Sequence, residues 1–275
     1  MRTGRTATLG QNFLRNRRTA RRLVHLAGGA DTALRIDLGA GKGAITEVAA
    51  ATFSGRIVAI EKDPRLVEEL VRRFSDWTNV EVRGEDLLDV PLPSEPFVCL
   101  GNPPFNLSTA IVRRWMTSGL FQSGALIVER EFGRRVAGEF GTTKLSASLD
   151  AHLELTLGAP VHAEEFHPQP RVRVAILRAA SREHPLVAVG DRVAYWLFVN
   201  YLFERGRYTI GEAIGDLGLR RTPPATSATP LRSASTSALV DLFAEVRRGA
   251  RQWAQVEAFE RGLPVNRRAL ASPAG

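Results

Sequence analysis

The chain has 275 residues, 44% of them hydrophobic, with 37 basic and 29 acidic side chains and a net charge of +8. That length suits one sizeable α/β domain plus a smaller one, and the ordinary apolar fraction excludes wholesale disorder. No apolar run reaches the roughly 18 residues of a membrane span, the Arg-rich start lacks the apolar segment of a secretory leader, and the single cysteine, Cys99, excludes an internal disulfide and predicts a reducing, cytoplasmic compartment.

After a short arm, Ala20, Leu23, Val24 and Ala27 recur at helical spacing within residues 10–30, and Gly28-Gly29 stops that helix. Residues 34–38 read as a buried strand. The turn Gly39-Ala40-Gly41-Lys42-Gly43 follows, then a helix over 44–51. A second strand over 56–61 ends in Glu61. Asp63 is the expected cap of a helix over 64–74, with Pro64 at its first position. Further strands are expected at 80–82, 97–100 and 124–128, and around 152–157 and 172–178. Cys99 reads as a buried residue of the fourth strand. Strands alternating with helices predict an α/β, Rossmann-like fold with a mostly parallel sheet, whose ligands bind at the carboxyl ends of the strands. Beyond residue 181 the pattern turns helical, at 191–204, 210–219 and 238–260, around a Thr/Pro/Ser/Ala-rich loop at 222–235. These features predict a catalytic domain at 1–180, a small helical auxiliary domain at 181–260 and a flexible tail at 261–275.

The positive charge is concentrated. Arg2, Arg5, Arg15, Arg17, Arg18, Arg21 and Arg22 fall in the first thirty residues with no acid among them. Such an excess points to a polyanion, either nucleic acid or an anionic membrane surface. Codon bias toward Arg explains why Arg outnumbers Lys. It does not explain the excess of bases over acids.

The polar residues of interest fall where strands end. The turn after Asp37 lets backbone approach a nucleotide-like ligand. Its spacing is G-x-G-x-G rather than the dinucleotide G-x-G-x-x-G, so no pyrophosphate is implied. Glu61 is placed to bind ribose hydroxyls; the bland alternative is a loop acid paired with Lys62 or Arg65. Asp86 can accept from an adenine amine while Leu87 covers the ring; the alternative is a turn acid. Asn102-Pro103-Pro104-Phe105 is the most informative stretch. An adenine amine is a poor nucleophile because its lone pair is delocalised. The Asn102 side-chain oxygen and the Pro103 carbonyl can each accept one amine hydrogen and localise that pair, with the prolines fixing the geometry. Phe105 can stack on the base. Taken alone, the tetrapeptide leaves DNA, RNA and protein amides open as substrates. His25, His152, His162, His167 and His184 lack metal-ligand spacing, so no metal is expected.

In this order the motifs resemble the rRNA adenine N6-methyltransferases: the Erm family acting on 23S rRNA and its KsgA-type relatives. Gly10-Gln11-Asn12-Phe13-Leu14 is similar to the N-terminal cofactor motif, Asp37 to Gly43 to the Gly-rich motif, and Ile60-Glu61 and Glu85-Asp86-Leu87 to the ribose and adenine acids. Gly101 to Phe105 with Leu107-Ser108-Thr109 is similar to the catalytic motif, and Phe166-His167-Pro168-Gln169-Pro170 to the late one. The family usually has Ile or Leu at Pro103 and Ser at Val174.

The resemblance implies a class I methyltransferase fold with S-adenosylmethionine as cofactor. The cofactor residues would be Gln11, Asn12, Leu14, Gly39, Gly41, Glu61, Lys62, Asp86, Leu87 and Asn102. It implies catalysis by Asn102, Pro103, Phe105 and Phe166, with the two phenyl rings sandwiching a flipped adenine. Arg15, Arg17, Arg18, Arg113, Arg114, Arg134 and Arg135 are then expected on RNA phosphates; a solvated basic face is the bland alternative for each. Phe198-Val199-Asn200-Tyr201-Leu202-Phe203 and the Arg- and Ala-rich composition resemble actinobacterial Erm proteins. The implied substrate is therefore 23S rRNA, the implied consequence macrolide-type resistance, and the expected state a monomer. A KsgA-type 16S dimethyltransferase and a non-catalytic RNA-binding factor of the same fold are the alternatives. Intact Asn102, Asp86 and Glu61 oppose the second.

Overall fold

The computed structural model describes residues 12–204, 209–219 and 227–262. They divide into two compact units. The first holds the described residues up to Gly133 with Thr156–Ala180, the second Arg134–Leu155 with the described residues from Ser181 onward. Residues 134–155, expected in the first domain, thus cluster with the helical one. Their helix Lys144–Asp150 supplies Ala147, which with the following Ala151 packs into the second unit's apolar core.

The first unit opens with β1 (Phe13–Leu14) and α1 (Arg17–Ala27). The Asn16 side chain caps α1 by accepting the Arg18 N–H at 2.8 Å. Thr19, Ala20, Leu23, Val24 and Ala27 are buried at helical spacing, and the arginines between them are exposed. β2 (Leu34–Leu38), α2 (Ala44–Thr52), β3 (Ile57–Glu61), α3 (Pro64–Arg73), β4 (Val80–Gly84) and β5 (Phe97–Gly101) follow. β2, β3 and β5 are buried along their whole length, as strands covered on both faces must be. Asp63 caps α3 by accepting the Arg65 N–H at 3.0 Å.

After β5 come a 3-10 turn at Phe105–Leu107, the short α4 (Ser108–Ile111) and a π-helical turn at Val112–Met116. β6 (Phe121–Glu129), α5 (Arg130–Val136), α6 (Lys144–Asp150), β7 (Leu153–Val161), β8 (Phe166–His167) and β9 (Val174–Ser181) complete this part of the chain. The seven-stranded sheet runs β4-β3-β2-β5-β6-β9-β7. Pairing is parallel from β4 to β6 and antiparallel between β6 and β9. The order reverses beside β2, which puts the topological switch point between β2 and β5. β1 pairs with β8, matching Leu14 with Phe166.

The second unit contains α6, α7 (Arg192–Glu204), α8 (Ile210–Asp216), α9 (Thr236–Arg248) and α10 (Ala250–Gly262). The single helix expected over 238–260 is two, divided at Gly249, which closes α9 through its N–H to the Val246 carbonyl. Within the loop expected at 222–235, residues 222–226 lie outside the described set, and Leu231–Ser233 form a 3-10 turn. Of the expected tail, Arg261 and Gly262 belong to α10, and the remainder lies outside the described residues.

Candidate active site

The carboxyl ends of β2, β3 and β5 converge on an open cleft with about 790 Å³ of empty space. Asn12, Leu14, Gly39, Gly41, Glu61, Lys62, Asp86, Leu87, Asn102, Pro103 and Phe105 line it. Every expected cofactor residue is therefore at one place except Gln11, which lies outside the described residues.

The Gly-rich turn is tied down from beneath. The Gly39 and Ala40 N–H groups both donate to the Ile60 carbonyl at 3.0 Å. The Glu61 carboxylate accepts the Gly41 N–H at 2.9 Å through Oε2, and the Lys62 and Asp63 N–H groups at 2.9 and 3.0 Å through Oε1. Glu61 is thus a buried organiser of the loop, and three of its roughly four acceptor positions are filled. The glycines are required by space as well as by backbone angle. A Cβ at Gly39 (φ +77) would stand 3.3 Å from the Pro103 Cα, and one at Gly41 (φ +56) 3.0 Å from the Phe13 ring. Gly39 therefore lets the Gly-rich motif pack directly on the Asn-Pro-Pro-Phe motif.

Asn102 is oriented by its neighbour. Its Nδ2 donates to the Asn12 carbonyl at 2.6 Å, which fixes which end of the amide is oxygen. The Oδ1 that remains is buried and without a hydrogen-bond partner. Beyond it, the Pro104 carbonyl accepts the Leu107 N–H at 2.9 Å, while no described residue donates to the Pro103 carbonyl. Two acceptors are left for an incoming amine, the two that localising its lone pair requires. On the other side of the cleft, exposed Lys62 pairs with Asp86 at 3.6 Å. Asp86 Oδ1 accepts the Leu88 N–H at 2.9 Å. Below the cleft, Asp37 is fully buried, and burial pushes its carboxyl up to about 6 although the Thr46 hydroxyl donates to Oδ2 at 2.6 Å; the nearby Glu61 charge adds to the rise. Cys99 is buried, and burial raises its thiol well above the ordinary range.

The chain matches the family model for ribosomal RNA adenine dimethylase over residues 3–238. The chain belongs to that family. It is 37% identical to the rRNA adenine N-6-methyltransferase of Streptomyces fradiae, across 66% of this chain and 59% of that protein. It is 32% identical to ribosomal RNA small subunit methyltransferase A of Geobacter metallireducens, across 77% of this chain and 80% of that protein. The crystal structure of the 23S rRNA methyltransferase ErmE has the same fold, with a TM-score of 0.70 at 24% identity over 86% of this chain and 100% of that one.

Several expected residues of this family member stand elsewhere than the sequence implied. Phe166 is 2% exposed and buried in the first unit's core, held there by β8 pairing with β1, so it offers no ring face to a base. Phe105 does line the cleft. Arg114 donates to the Val90 carbonyl at 2.5 Å, and Trp115 Nε1 to the Leu87 carbonyl at 3.0 Å. The π-helical turn thereby clamps the Asp86–Val90 turn, which gives Arg114 a structural task. Arg113 is half-buried, and burial lowers its guanidinium. Arg134 pairs with Glu139 at 2.7 Å and lies over the Phe140 ring. Arg15, Arg17, Arg18 and Arg135 are exposed. Arg17 is 3.7 Å from Glu47.

The cleft wall also includes Phe13, Ala40, Lys42, Ala44, Ile45, Ile60, Pro104 and Leu107, none of them expected as a cofactor contact or catalytic residue. Phe13 carried a signal as part of the N-terminal motif. Ala40, Lys42, Ile60, Pro104 and Leu107 likewise stand within the motifs, whereas Ala44 and Ile45 are apolar helix residues whose types announce no chemistry. Among the described residues no group of three or more His, Cys, Asp or Glu side chains is placed to hold a metal ion, and no helix is long and apolar enough to cross a membrane.

Proposed function

We propose that this chain transfers a methyl group from S-adenosylmethionine to the N6 of an adenine in rRNA. The observation that carries the reading is Asn102 Oδ1, a buried acceptor with no partner, on an amide whose other end is fixed. Two features support a fit to the cofactor. Gly39 and Gly41 leave no room for a Cβ against Pro103 and Phe13, which keeps bare backbone in the cleft wall, and Glu61, Asp86 and Leu87 line the same cleft. Asn12, Leu14, Gly39, Gly41, Glu61, Lys62, Asp86 and Leu87 would hold it, with Gln11 as the expected N-terminal contact. When bound, it supplies an electrophilic sulfonium methyl.

Asn102 Oδ1 and the Pro103 carbonyl each accept one amine hydrogen, which localises the nitrogen lone pair and aims it. Phe105 stacks on the flipped base. The proton made acidic by methylation leaves to water, so no strong base is required. Phe166 contributes a base contact only if β8 moves, and it otherwise anchors β1 against the core.

The large-subunit 23S rRNA is the favoured substrate, with resistance to macrolide-type drugs as the consequence. A mycinamicin-resistance protein of Micromonospora griseorubida, 35% identical over 66% of this chain, supports that choice. The greater share of the Geobacter protein covered supports a small-subunit substrate as the second reading. The compartment would be the cytoplasm, the working form a monomer, and residues 181–260 an RNA-binding auxiliary domain.

Incubation with labelled S-adenosylmethionine and naked 23S rRNA, small subunits or DNA separates these readings. Label on 23S adenine is the expected result. Label confined to small subunits supports the second reading, and label on none of the three contradicts the proposal. Exposed Arg15, Arg17, Arg18, Arg21 and Arg22 are the expected phosphate contacts of the first unit. Replacing several by Gln flattens the salt dependence of RNA binding, its log–log slope falling by about 0.7 for each phosphate no longer neutralised; an unchanged slope would remove these arginines from the interface.

A further inference from the structure

One buried acid has no part in the chemistry above. Asp37 is fully buried, its Oδ2 takes the Thr46 hydroxyl, and its Oδ1 has no hydrogen-bond partner. A carboxylate so placed is costly unless a donor or a positive charge compensates it. Its depth in the sheet sets what it can reach. Asp37 is in register with Ala59 on β3 and Leu100 on β5, two residues before Glu61 and Asn102. At roughly 3.3 Å per residue it lies about 7 Å below the level at which those side chains line the cleft. A charge at that depth acts on a charge in the cleft without touching it, through a medium largely free of water.

The relevant charge is at sulfur. S-adenosylmethionine and its product differ by one methyl group and one positive charge. As the methyl–sulfur bond breaks, its electron pair stays on sulfur, and the cation becomes a neutral thioether. We propose that Asp37 is a long-range specificity residue that makes the cleft prefer the cationic methyl donor over the neutral product. This rests on reading the cleft as the S-adenosylmethionine site. Ionised Asp37, together with Glu61, stabilises a cation above it. Once the cation is gone, two neighbouring carboxylates repel, and near pH 6 Asp37 takes up a proton from water.

The groups around Asp37 are the Thr46 hydroxyl and backbone N–H from α2, both of which favour its ionised form, apolar Leu100 from β5, and Ala59 and Glu61 from β3. Glu61 is the titratable one, and its charge opposes ionisation of Asp37. The preference is therefore full above about pH 6, where Asp37 is ionised, and lost below it.

Calorimetric titration of the wild-type chain with S-adenosylmethionine and S-adenosylhomocysteine, in buffers of different ionisation enthalpy, tests this directly. The ratio of product Kd to donor Kd is expected to rise about tenfold from about pH 5 to about pH 8, with proton release on donor binding around the midpoint. Asp37→Asn should give a ratio that is flat with pH, at the acid-side value. Thr46→Val, which keeps the acid and removes its donor, should move the midpoint upward. A wild-type ratio that does not vary with pH overturns the proposal, and does so even if Asp37→Asn fails to fold. An Asp37→Asn ratio that tracks wild type overturns it too. Tight donor binding in either case leaves the proposed function standing, whereas failure of wild type to bind donor or product overturns both.

Discussion

Asp37 in the first unit and His152 in the second are buried titratable groups of opposite kind. In the first, Asp37 lies beneath the cleft, two residues short of the strand-end level of Glu61 and Asn102. In the second, His152 is 1% exposed, neither ring nitrogen has a hydrogen-bond partner, and its ring meets Tyr195 edge to face at 6.3 Å. Burial, aided by the nearby Arg192 charge, pushes that imidazole down to about 4. Around it is an aromatic core in which Phe243 lies 5.3 to 6.1 Å from Tyr195, Phe198 and Trp253. The difference teaches where unsatisfied polarity serves a ligand. In the sheet it sits beneath the proposed S-adenosylmethionine cleft, where a bound cation would compensate it. Among the helices it is sealed by rings and serves packing.

Opening the aromatic core should affect the second unit alone. Phe243→Ala removes the ring at its centre and should cost about 3–5 kcal/mol of stability in the second unit. Hydrogen exchange should accelerate in α7, α9 and α10, while β2, β3 and β5 keep their protection. Equal loss of protection in the sheet would show that the two cores are not separate.

The pH dependence of stability should have opposite signs in the two units. Asp37 is raised from 3.8 to about 6 in the folded chain, so its contribution is full below about 4 and is lost as pH rises through about 6. His152 is lowered from 6.5 to about 4, so its contribution is full above about 6.5 and is lost as pH falls through about 4. Each corresponds to about 3 kcal/mol across its window. Hydrogen exchange at a series of pH values reads both. Asp37→Asn should abolish the change in β2 and β3, and His152→Leu the change in α7. Slopes of one sign throughout the chain would contradict the assignment.

A smaller effect sharpens the account of the cleft. Glu61→Gln keeps the shape of the side chain and removes the charge that holds the Gly41, Lys62 and Asp63 N–H groups. It should weaken donor binding by about tenfold, or about 1.4 kcal/mol, with exchange in the second unit unchanged. Unaltered donor affinity would reduce Glu61 to a loop acid.

Most of the first unit was legible because its signals are local. β2, β3 and β5 are apolar runs, Asp63-Pro64 announces a helix start, and the motif residues fall at strand ends where such sheets bind ligands. The sequence could not say that Asn102 Nδ2 would be held by Asn12, because that contact joins residues 90 positions apart. Nor could it foresee Phe166 buried by pairing between β1 and β8, strands of two residues each that carry no periodicity. Arg114 looked like any basic residue, and its role depends on the π-helical turn that aims it at the Val90 carbonyl. In the second unit Gly249 divides a helical pattern that is apolar on both sides, and α6 is too short to declare which core it joins. Asp37 was visible as the first letter of the Gly-rich motif, but its missing partner was not.

In the proposed reaction, the unpartnered Asn102 Oδ1 accepts a hydrogen from the adenine amine. The most direct test is single-turnover methyl transfer to rRNA adenine by Asn102→Ala at saturating S-adenosylmethionine, with hydrogen exchange confirming an intact sheet. The rate should fall on the order of 10²–10³-fold, as when a preorganised hydrogen-bond partner is removed from a transition state. A variant that is folded, saturated with donor and as fast as wild type would contradict the account.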